Sequence, residues 1–202
     1  MSEGAGDTRQ LLVSIINYKT AEMTIDCIKS VLADAEGIDL EVVVVDNASA
    51  DGSVDRIANW IGTENVGDRV RLIPSETNSG FSGGHNQGIL SAKADYYLIL
   101  NSDALLHQGF CRAILDAAVA HPQAGLITPR LEWDTGEPQE SHFRLPSPAS
   151  EIIRGANTGP VTKLLKRYDM PLGYDFDPAE IGWASFACIL LRGRMVEQIG
   201  LM

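Results

Sequence analysis

Short aliphatic runs alternate with helical patterns through the first half of this chain. The runs are rich in Val, Ile, Leu and Tyr, which is typical of strands buried on both faces of a sheet. They lie at residues 11–16, 41–46, 70–74 and 95–100. Strands that alternate with helices predict an α/β fold, in which helices cover both faces of a mostly parallel sheet.

Three helices are predicted from apolar side chains spaced three or four residues apart. The second would begin at Asp51-Gly52-Ser53, and the third would end at His121-Pro122, because proline disfavours helix at the residue before it. The apolar stripes contain Cys27, Ile28, Val31 and Leu32, then Val54, Ile57, Ala58 and Ile61, and finally Phe110, Ile114, Ala117 and Ala118.

The charge balance excludes one class of partner. The 202 residues include 16 Lys and Arg against 27 Asp and Glu, a formal net charge of −11. Nucleic acids are held by clustered basic side chains, so we expect no nucleic-acid partner. No apolar run approaches the ~20 residues of a membrane span, and residues 1–10 lack a signal-peptide pattern. We therefore expect a cytoplasmic protein, with peripheral contact at the inner face of the membrane left open.

The cysteines and prolines give two further expectations. Cys27, Cys111 and Cys188 form no Cys-x-x-Cys pair and are predicted to be reduced packing residues. Six of the nine prolines fall within residues 136–181, which predicts an irregular segment of the kind that forms a lid or binding loop, or is disordered. The apolar run 183–191 predicts a return to strand.

Polar side chains follow the strands where each one ends. Asn17-Tyr18 follow the first strand, Asp46-Asn47 end the second, and Asn101-Ser102-Asp103 follow the fourth. Ligands of open parallel sheets bind beyond the carboxyl ends of the strands. We therefore expect these side chains to meet along one crevice.

Asp103 is the candidate metal ligand. A carboxylate fixed at a strand end can hold Mg²⁺ or Mn²⁺, which commonly bridge to substrate phosphates. Such an ion would offset phosphate charge that a chain of net charge −11 otherwise repels. An Asp after a strand is also a frequent helix cap, and this alternative stays open.

A glycine-rich segment at 78–88, N-S-G-F-S-G-G-H-N-Q-G, follows the third strand. Glycines let a backbone approach a ligand closely, and amides at a helix N-terminus bind anions. A tight turn before a helix is the alternative interpretation. The first strand is not followed by G-x-G-x-x-G, and no G-K-[ST] occurs, so dinucleotide and P-loop enzymes are disfavoured.

Asp46 ends the second strand and, when ionised, can only accept hydrogen bonds. It could pair with the imide N–H of uracil or thymine, or with the ring N–H of guanine. The alternative is that Asp46 and Asn47 cap the next helix.

Taken together, these motifs resemble the family-2 glycosyltransferases, which have the GT-A fold and transfer a sugar from a nucleotide donor. Four segments occur in the family order, and Arg130-Leu131 and the run 183–192 also match. The segments are I-I-N-Y-K-T at 15–20, V-V-V-V-D-N-A-S-A-D-G-S at 42–53, the glycine-rich segment at 78–88, and Y-L-I-L-N-S-D at 97–103. The resemblance is greatest to a bacterial, rhamnosyltransferase-like subset.

The resemblance implies roles for individual residues. Asp46 would contact the base, and Asn17 and Tyr18 would line the nucleoside pocket. Asp103 would be the principal metal ligand, with Asn101 where many relatives have Asp. The part of the site that binds the diphosphate and the sugar would be shaped by Asn78, Gly80, Gly83 and Gly84. Further substrate-binding positions would be Asn47, Asn86 and Trp183. Phe186 stands near the acceptor side, where relatives often have a small residue.

The resemblance further implies an inverting, metal-dependent reaction with Mg²⁺ or Mn²⁺. A nucleoside-diphosphate sugar would donate to a saccharide or lipid-linked acceptor in the synthesis of a bacterial surface polysaccharide or glycolipid. The family's catalytic base belongs to an acidic pair after the segment matching 196–200, so we expect it beyond Met202, with the GT-A domain incomplete at its C-terminus. Weaker candidates for the base are Asp134, Glu137, Glu140 and His142. We expect His85 and His107 to be loop or helix-start residues.

On this basis we expect a flexible tail at 1–10 and a GT-A domain at 11–202. Residues 11–104 would form the nucleotide-sugar-binding half, and 105–202 a partial acceptor-side half containing the irregular 136–181 segment. Two other functions stay open: a nucleotide-sugar-binding module without transfer activity, and a sugar-1-phosphate nucleotidyltransferase. The second would need a glycine-rich, basic loop after the first strand, where this chain has N-Y-K-T.

Overall fold

The chain folds into two compact units. A computed structural model describes residues 8–156, 158–173, 176–177 and 180–202. The first unit contains the chain up to Ile127 together with Phe186–Met202, and the second is Thr128–Ser185. The boundaries between these units fall at 127/128 and 185/186, and the expected division into a nucleotide-sugar-binding half and an acceptor-side half stays a prediction.

Ten strands and seven helices are present in the described ranges. The strands are β1 (Arg9–Asn17), β2 (Leu40–Asp46), β3 (Val70–Pro74), β4 (Ala94–Asn101), β5 (Leu126–Ile127), β6 (Leu131–Glu132), β7 (Pro138–Gln139), β8 (His142–Phe143), β9 (Trp183–Ala184) and β10 (Cys188–Arg192). The helices are α1 (Ala21–Ala33), α2 (Ser53–Thr63), α3 (Gly80–Leu90), α4 (Phe110–Ala120), α5 (Pro148–Ala156), α6 (Gly159–Leu165) and α7 (Gly193–Ile199), with a 3₁₀ turn at Lys166–Tyr168.

A six-stranded sheet forms the centre of the first unit. Its order is β3-β2-β1-β4-β10-β5, in which the first four strands are parallel and β10 runs antiparallel to both of its neighbours. The predicted α/β class, the four strands and the three helices are confirmed. β1 begins at Arg9. Residues 1–7 lie outside the described residues, so the flexible tail expected at 1–10 stays a prediction.

The core lies where the aliphatic strands meet the helices. All seven residues of β2 are buried, as expected for a strand covered on both faces. Cys27, Cys111 and Cys188 are free and buried, which confirms their prediction as packing residues. Burial raises the pKa of each of these thiols to about 12, so they stay protonated at neutral pH.

The glycine-rich segment forms a helix of its own, α3, rather than a loop that leads into one. Gly84 and Gly88 lie four residues apart on the side that packs on β1. A Cβ atom at Gly84 would lie 2.8 Å from Cδ1 of Ile16, and one at Gly88 would lie 2.4 Å from Oγ of Ser14. These two glycines therefore permit close helix–strand packing, a role that the sequence interpretation did not assign to them.

The second unit contains more regular structure than expected for 136–181. α5 begins at Pro148, and α6 has Pro160 in its first turn, a position where proline is favoured because its missing N–H would be unbonded there. Two of the prolines that suggested irregularity thus start helices. The expected strand 183–191 is divided between β9 of this unit and β10 of the first. Residues 157, 174, 175, 178 and 179 lie outside the described residues.

Candidate functional site

The carboxyl ends of the parallel strands form one polar rim. Asn17 at the end of β1 is opposite Asp46 of β2, and Ile16 is opposite Asn101 of β4. Neighbouring strands of a sheet lie about 4.8 Å apart, so the polar residues after β1, β2 and β4 occupy adjacent places. The expectation that these strand ends meet at one edge is confirmed.

Asn17 and Asp46 are the buried centre of this rim, at 0% and 2% exposure. Nδ2 of Asn17 donates to Oδ2 of Asp46 over 2.6 Å, and Oδ1 of Asp46 accepts from the backbone N–H of Ser49 over 3.0 Å. Oδ1 of Asn17 accepts from the hydroxyl of Thr24 over 2.9 Å. Both carboxylate oxygens of Asp46 therefore accept hydrogen bonds within the protein, so the main role of Asp46 in this structure is to hold the loop and the strand ends in place.

Asn47 joins the rim to the start of α3. Its Nδ2 donates to Oδ1 of Asn78 over 2.9 Å and to the carbonyl of Gly80 over 3.0 Å, while its Oδ1 accepts from the N–H of Ser79 over 3.0 Å. Asn47 is 3% exposed. The suggestion that Asn47 caps the helix after β2 is thus wrong: its side chain holds the N-terminus of α3, and Asp51 accepts from the N–H of Ser53 at the start of α2.

Three non-glycine residues beside this rim have left-handed backbone conformations. Lys19 follows β1 with φ of 62°, and Ala48 and Ala50 follow β2 with φ of 58° and 51°. Residues other than Gly, Asn and Asp rarely adopt such backbone angles, and the residues that do so are concentrated at functional sites. Their clustering is a second indication, independent of the motifs, that the ends of β1 and β2 serve a function.

Asp103 is the exposed carboxylate of the rim. The alternative that it caps a helix is not what the structure shows, because the N–H of Cys111 in α4 donates to Asp34 over 2.6 Å. Ser102 lies within 3.3 Å of Thr20, hydroxyl to hydroxyl, which ties the segment after β4 to the segment after β1. Asp103 therefore stands beside the buried centre with its carboxylate toward solvent.

The remaining predicted residues differ in their surroundings. Tyr18 is 45% exposed, with Nζ of Lys19 5.1 Å from its ring centroid. Asn86 pairs through its side-chain amide with the backbone of Met202, at 2.7 and 3.1 Å. Trp183 belongs to the second unit, where it stacks on Phe143 at 4.1 Å between ring centroids. Tyr18 thus places an exposed aromatic ring at the polar rim of the first unit.

The glycine amides were expected to face a diphosphate. Gly83 and Gly84 are instead the fourth and fifth residues of α3, where a backbone N–H bonds to a carbonyl four residues earlier. Their amides are therefore used inside the helix, and the exposed start of the segment is Asn78 and Gly80. Phe186 contacts Phe81 of α3 edge-to-face, at 6.4 Å between ring centroids, and packs against the core.

Two histidines are held within the protein: His142, the weaker base candidate, and His85, which was expected in a loop or at a helix start and lies inside α3. His85 is fully buried, its Nδ1 lies 2.9 Å from Oγ of Ser14, and burial lowers its pKa to about 4. His142 is bonded to the hydroxyls of Thr128 and Ser141, and burial also lowers its pKa. Neither side chain is placed to accept a proton from an external hydroxyl.

Sequence reasoning missed Ser49, Thr20 and Thr24. Oγ of Ser49 accepts from Asn17 over 3.1 Å and from the N–H of Lys19 over 2.9 Å, so it fixes the loops after β1 and β2 to each other. The spacing Asp46-x-x-Ser49 carries a signal for it, since an Asp side chain commonly bonds a backbone N–H a few residues on. Thr20 and Thr24 carry no such signal.

Cavities elsewhere in the first unit do not coincide with the rim. One of about 460 Å³ is lined by Lys93, Tyr96 and Arg192, and one of about 450 Å³ by Arg9, Glu41 and Val70. Both involve the amino-terminal ends of parallel strands. The rule that ligands bind beyond the carboxyl ends favours the rim over these cavities.

Comparison with known proteins identifies the class. The profile described as glycosyl transferase family 2 matches residues 12–200, and the chain belongs to this family. The match favours the glycosyltransferase hypothesis over the nucleotidyltransferase one.

Similar curated proteins act in glycan synthesis by name. The N-acetylglucosaminyl-diphospho-decaprenol L-rhamnosyltransferase of Mycobacterium tuberculosis is 28% identical over 80% of this chain and 54% of its own length. The low-salt glycan biosynthesis hexosyltransferase of Haloferax volcanii is 26% identical over 94% of this chain and 55% of its own. The chain thus spans about half the length of these relatives.

Solved structures share the fold. A mannosyltransferase from Pyrobaculum calidifontis, in complex with GDP-Man and Mn²⁺, matches 96% of this chain and 48% of its own with a TM-score of 0.60 at 16% identity. TarS of S. aureus matches 94% of this chain and 48% of its own with a TM-score of 0.57 at 16% identity. The GT-A architecture that the resemblance implied is confirmed.

No helix in the described ranges is both long enough and apolar enough to cross a membrane.

Proposed function

We propose that this chain is the donor-binding part of an inverting, metal-dependent glycosyltransferase. Its donor would be a nucleoside-diphosphate sugar and its acceptor a saccharide or lipid-linked saccharide of a bacterial surface polysaccharide or glycolipid. The observation that carries the proposal is the rim, where Asn17, Asp46, Asn47 and Asp103 lie at or just after the ends of three adjacent strands. Membership of family 2 supports the transfer of a sugar.

The nucleoside would lie at the end of β1 and β2. Tyr18 offers an exposed ring face on which a base can stack. Asp46 and Asn17 form a rigid polar floor, since their atoms are already bonded to each other. A base would reach Asp46 through the second lone pair of a carboxylate oxygen, because each oxygen can accept more than one hydrogen bond.

The diphosphate would lie between the start of α3 and the segment after β4. Asn47 fixes Asn78 and Gly80, so the entry to α3 is held in place before any ligand arrives. The Ser102–Thr20 contact positions the opposite side. Such preorganisation reduces the free energy that is lost when a flexible ligand is ordered.

The residues after β4 fit a divalent cation that is shared with the substrate. Asp103 supplies an exposed carboxylate, and Ser102 and Asn101 supply neutral oxygens, the hard donors that Mg²⁺ and Mn²⁺ prefer. No cluster of three His, Cys, Asp or Glu side chains able to hold a metal occurs among the described residues. Asp103 would therefore be the residue that holds the cation, and it would do so only in the presence of further oxygen donors from the substrate. When bound, the cation supplies positive charge to the diphosphate.

The proposed reaction is a single displacement. The acceptor hydroxyl forms a bond to C1 of the donor sugar as the bond from C1 to the diphosphate oxygen breaks, and a carboxylate takes the hydroxyl proton. The family resemblance assigns that carboxylate to an acidic pair after the segment matching 196–200. The rim residues orient the diphosphate, so that C1 presents the face opposite the leaving group.

A thermal-melting screen tests the donor site. Uridine, thymidine and guanosine diphosphates are each added with and without Mn²⁺, and the free energy of unfolding is expected to rise by about 2.7 kcal/mol at a hundredfold excess over the Kd. No shift with any of the three nucleotides would contradict the proposal. A second assay measures sugar transfer by this chain and by a longer chain extended as in the relatives; we expect turnover only from the longer one.

A further inference from the structure

Positive charge is concentrated in one segment of the second unit. Residues 152–168 contain four basic side chains and no Asp or Glu, although the whole chain has a net charge of −11. The basic residues are Arg154 on α5, Lys163 on α6, and Lys166 and Arg167 on the 3₁₀ turn that follows. Such segregation is the electrostatic footprint of an anionic partner.

The same segment exposes large apolar side chains. Leu164 is 83% exposed, Ile152 57% and Tyr168 37%. In α6 and the following turn, the exposed Leu164 and Tyr168 are close in sequence to the basic Lys163, Lys166 and Arg167, so apolar and basic side chains occur together there. α5 packs against α6. Exposed apolar side chains beside basic ones are typical of helices that lie in a membrane interface.

Two of the four cations are not used inside the protein. Arg154 pairs with Glu151, and Arg167 lies over the ring of Tyr168 at 4.6 Å. Lys163 and Lys166 are exposed, and within the described ranges no ion pair joins either one to a carboxylate. Their charges are therefore available to an external anion.

A cavity beside the turn is lined by both charged and apolar side chains. It has a volume of about 510 Å³ and is lined by Arg144, Leu145, Arg167 and Ile181, with Glu180 and Gly182 completing it. Arg144 also pairs with Glu180. Guanidinium groups match the geometry of phosphate oxygens, and Leu145, 68% exposed, places apolar surface next to them.

We propose that residues 152–156 and 158–168 are a docking surface for a bilayer of anionic phospholipid. Lys163 and Lys166 supply charge to the negative surface, and the exposed Leu164 and Ile152 insert among the acyl chains near the headgroups. A nucleic acid would satisfy the cations, but it offers nothing to an exposed leucine and isoleucine. The proposal is independent of sugar transfer, because it concerns only where the protein is held.

Vesicle co-sedimentation tests the surface with the full chain, without donor or metal. The vesicles are phosphatidylcholine alone or phosphatidylcholine mixed with phosphatidylglycerol, at low and high ionic strength. We expect binding to the mixed vesicles only, released by salt. The pair Lys163→Glu and Lys166→Glu should weaken partitioning at least about thirtyfold. Leu164→Ser should weaken it about tenfold.

Matched controls lie on the first unit. Lys29→Glu with Lys93→Glu makes the same change in net charge, and Leu90→Ser removes a leucine that is 71% exposed; both should bind vesicles like the wild type. The proposal is overturned if wild type ignores anionic vesicles, if it binds phosphatidylcholine equally, or if the control pair weakens binding as much. Binding to a duplex oligonucleotide but not to vesicles would also overturn it. Because no donor is present, failure here leaves the transfer proposal standing.

Discussion

The two sides of the polar rim differ in what surrounds them. At the ends of β1 and β2, Asn17, Asp46 and Asn47 are almost wholly buried and bonded to one another and to loop atoms. After β4, Asp103 is exposed. The motifs put all four residues in one site, yet only the side after β4 has a carboxylate that is exposed to solvent. A motif residue can thus serve a site by shaping it, without being the group that the ligand touches.

Asp46→Ala should cause the largest loss of stability. It removes two hydrogen bonds to a buried carboxylate and leaves the Asn17 amide and the Ser49 N–H without that partner. We expect the free energy of unfolding to fall by about 3 to 5 kcal/mol, measured by urea denaturation. A loss below about 1 kcal/mol would show that the buried side is not structural, and would remove the contrast between the two sides.

Because His85 is buried, it should make the stability of the protein sensitive to acid. Burial lowers its pKa from 6.5 to about 4, so the folded protein binds fewer protons than the unfolded chain between these values. The stabilisation from neutral His85 is complete above pH 6.5 and is lost as the pH falls toward and through about 4, by roughly 3 kcal/mol. His85→Gln should flatten this part of the stability–pH curve. An unchanged slope in the variant would assign the acid sensitivity to other groups.

Gly88→Ala should disturb the packing of α3 on β1. The added methyl would lie 2.4 Å from Oγ and 3.2 Å from Cβ of Ser14, so either the Ser14 side chain or the helix must shift. The expected loss is about 1 to 3 kcal/mol, read from the melting temperature. Gly62→Ala is the matched control, because a Cβ there meets no atom within 4 Å. It should stabilise by about 0.5 to 1 kcal/mol, and equal effects of the two variants would argue against close packing.

Asp103→Ala should have the smallest effect on the fold and the most specific effect on binding. Without ligand, we expect the free energy of unfolding to change by less than about 0.5 kcal/mol, as for a typical surface position. The Mn²⁺-dependent part of the nucleotide-induced melting shift should disappear, while the metal-independent part stays. A variant that keeps the full metal-dependent shift would show that the cation is held elsewhere.

The strands were predictable because their sequences leave few alternatives. A run such as β2, buried along its whole length, fits only a strand covered on both faces, and β1 differed from its prediction only at its ends. α3 was harder, since each glycine disfavours helix by about 1 kcal/mol relative to alanine. What offsets that cost is packing on Ser14 and Ile16, residues more than sixty positions away in the sequence. Local patterns do not contain this information.

For the site, the sequence predicted which residues gather but not how deeply each is buried. Their meeting follows from the parallel order of the strands. The burial of Asp46 depends on the loop through Ala48 and Ala50, whose left-handed angles no residue type there would suggest. Ser49, Thr20 and Thr24 complete the network through side chains that are common in any loop. How deeply each residue of a site is buried is thus determined by tertiary packing.

The antiparallel course of β10 also affects how this protein emerges from the ribosome. β10 lies between β4 and β5, and Cys188 pairs with Leu100. At usual synthesis rates, the apolar edge of β4 waits on the order of ten seconds while the next roughly ninety residues are made. Throughout that delay the nascent sheet offers unpaired backbone groups to any other extended chain. Protection of this strand edge during translation would therefore reduce its pairing with other chains.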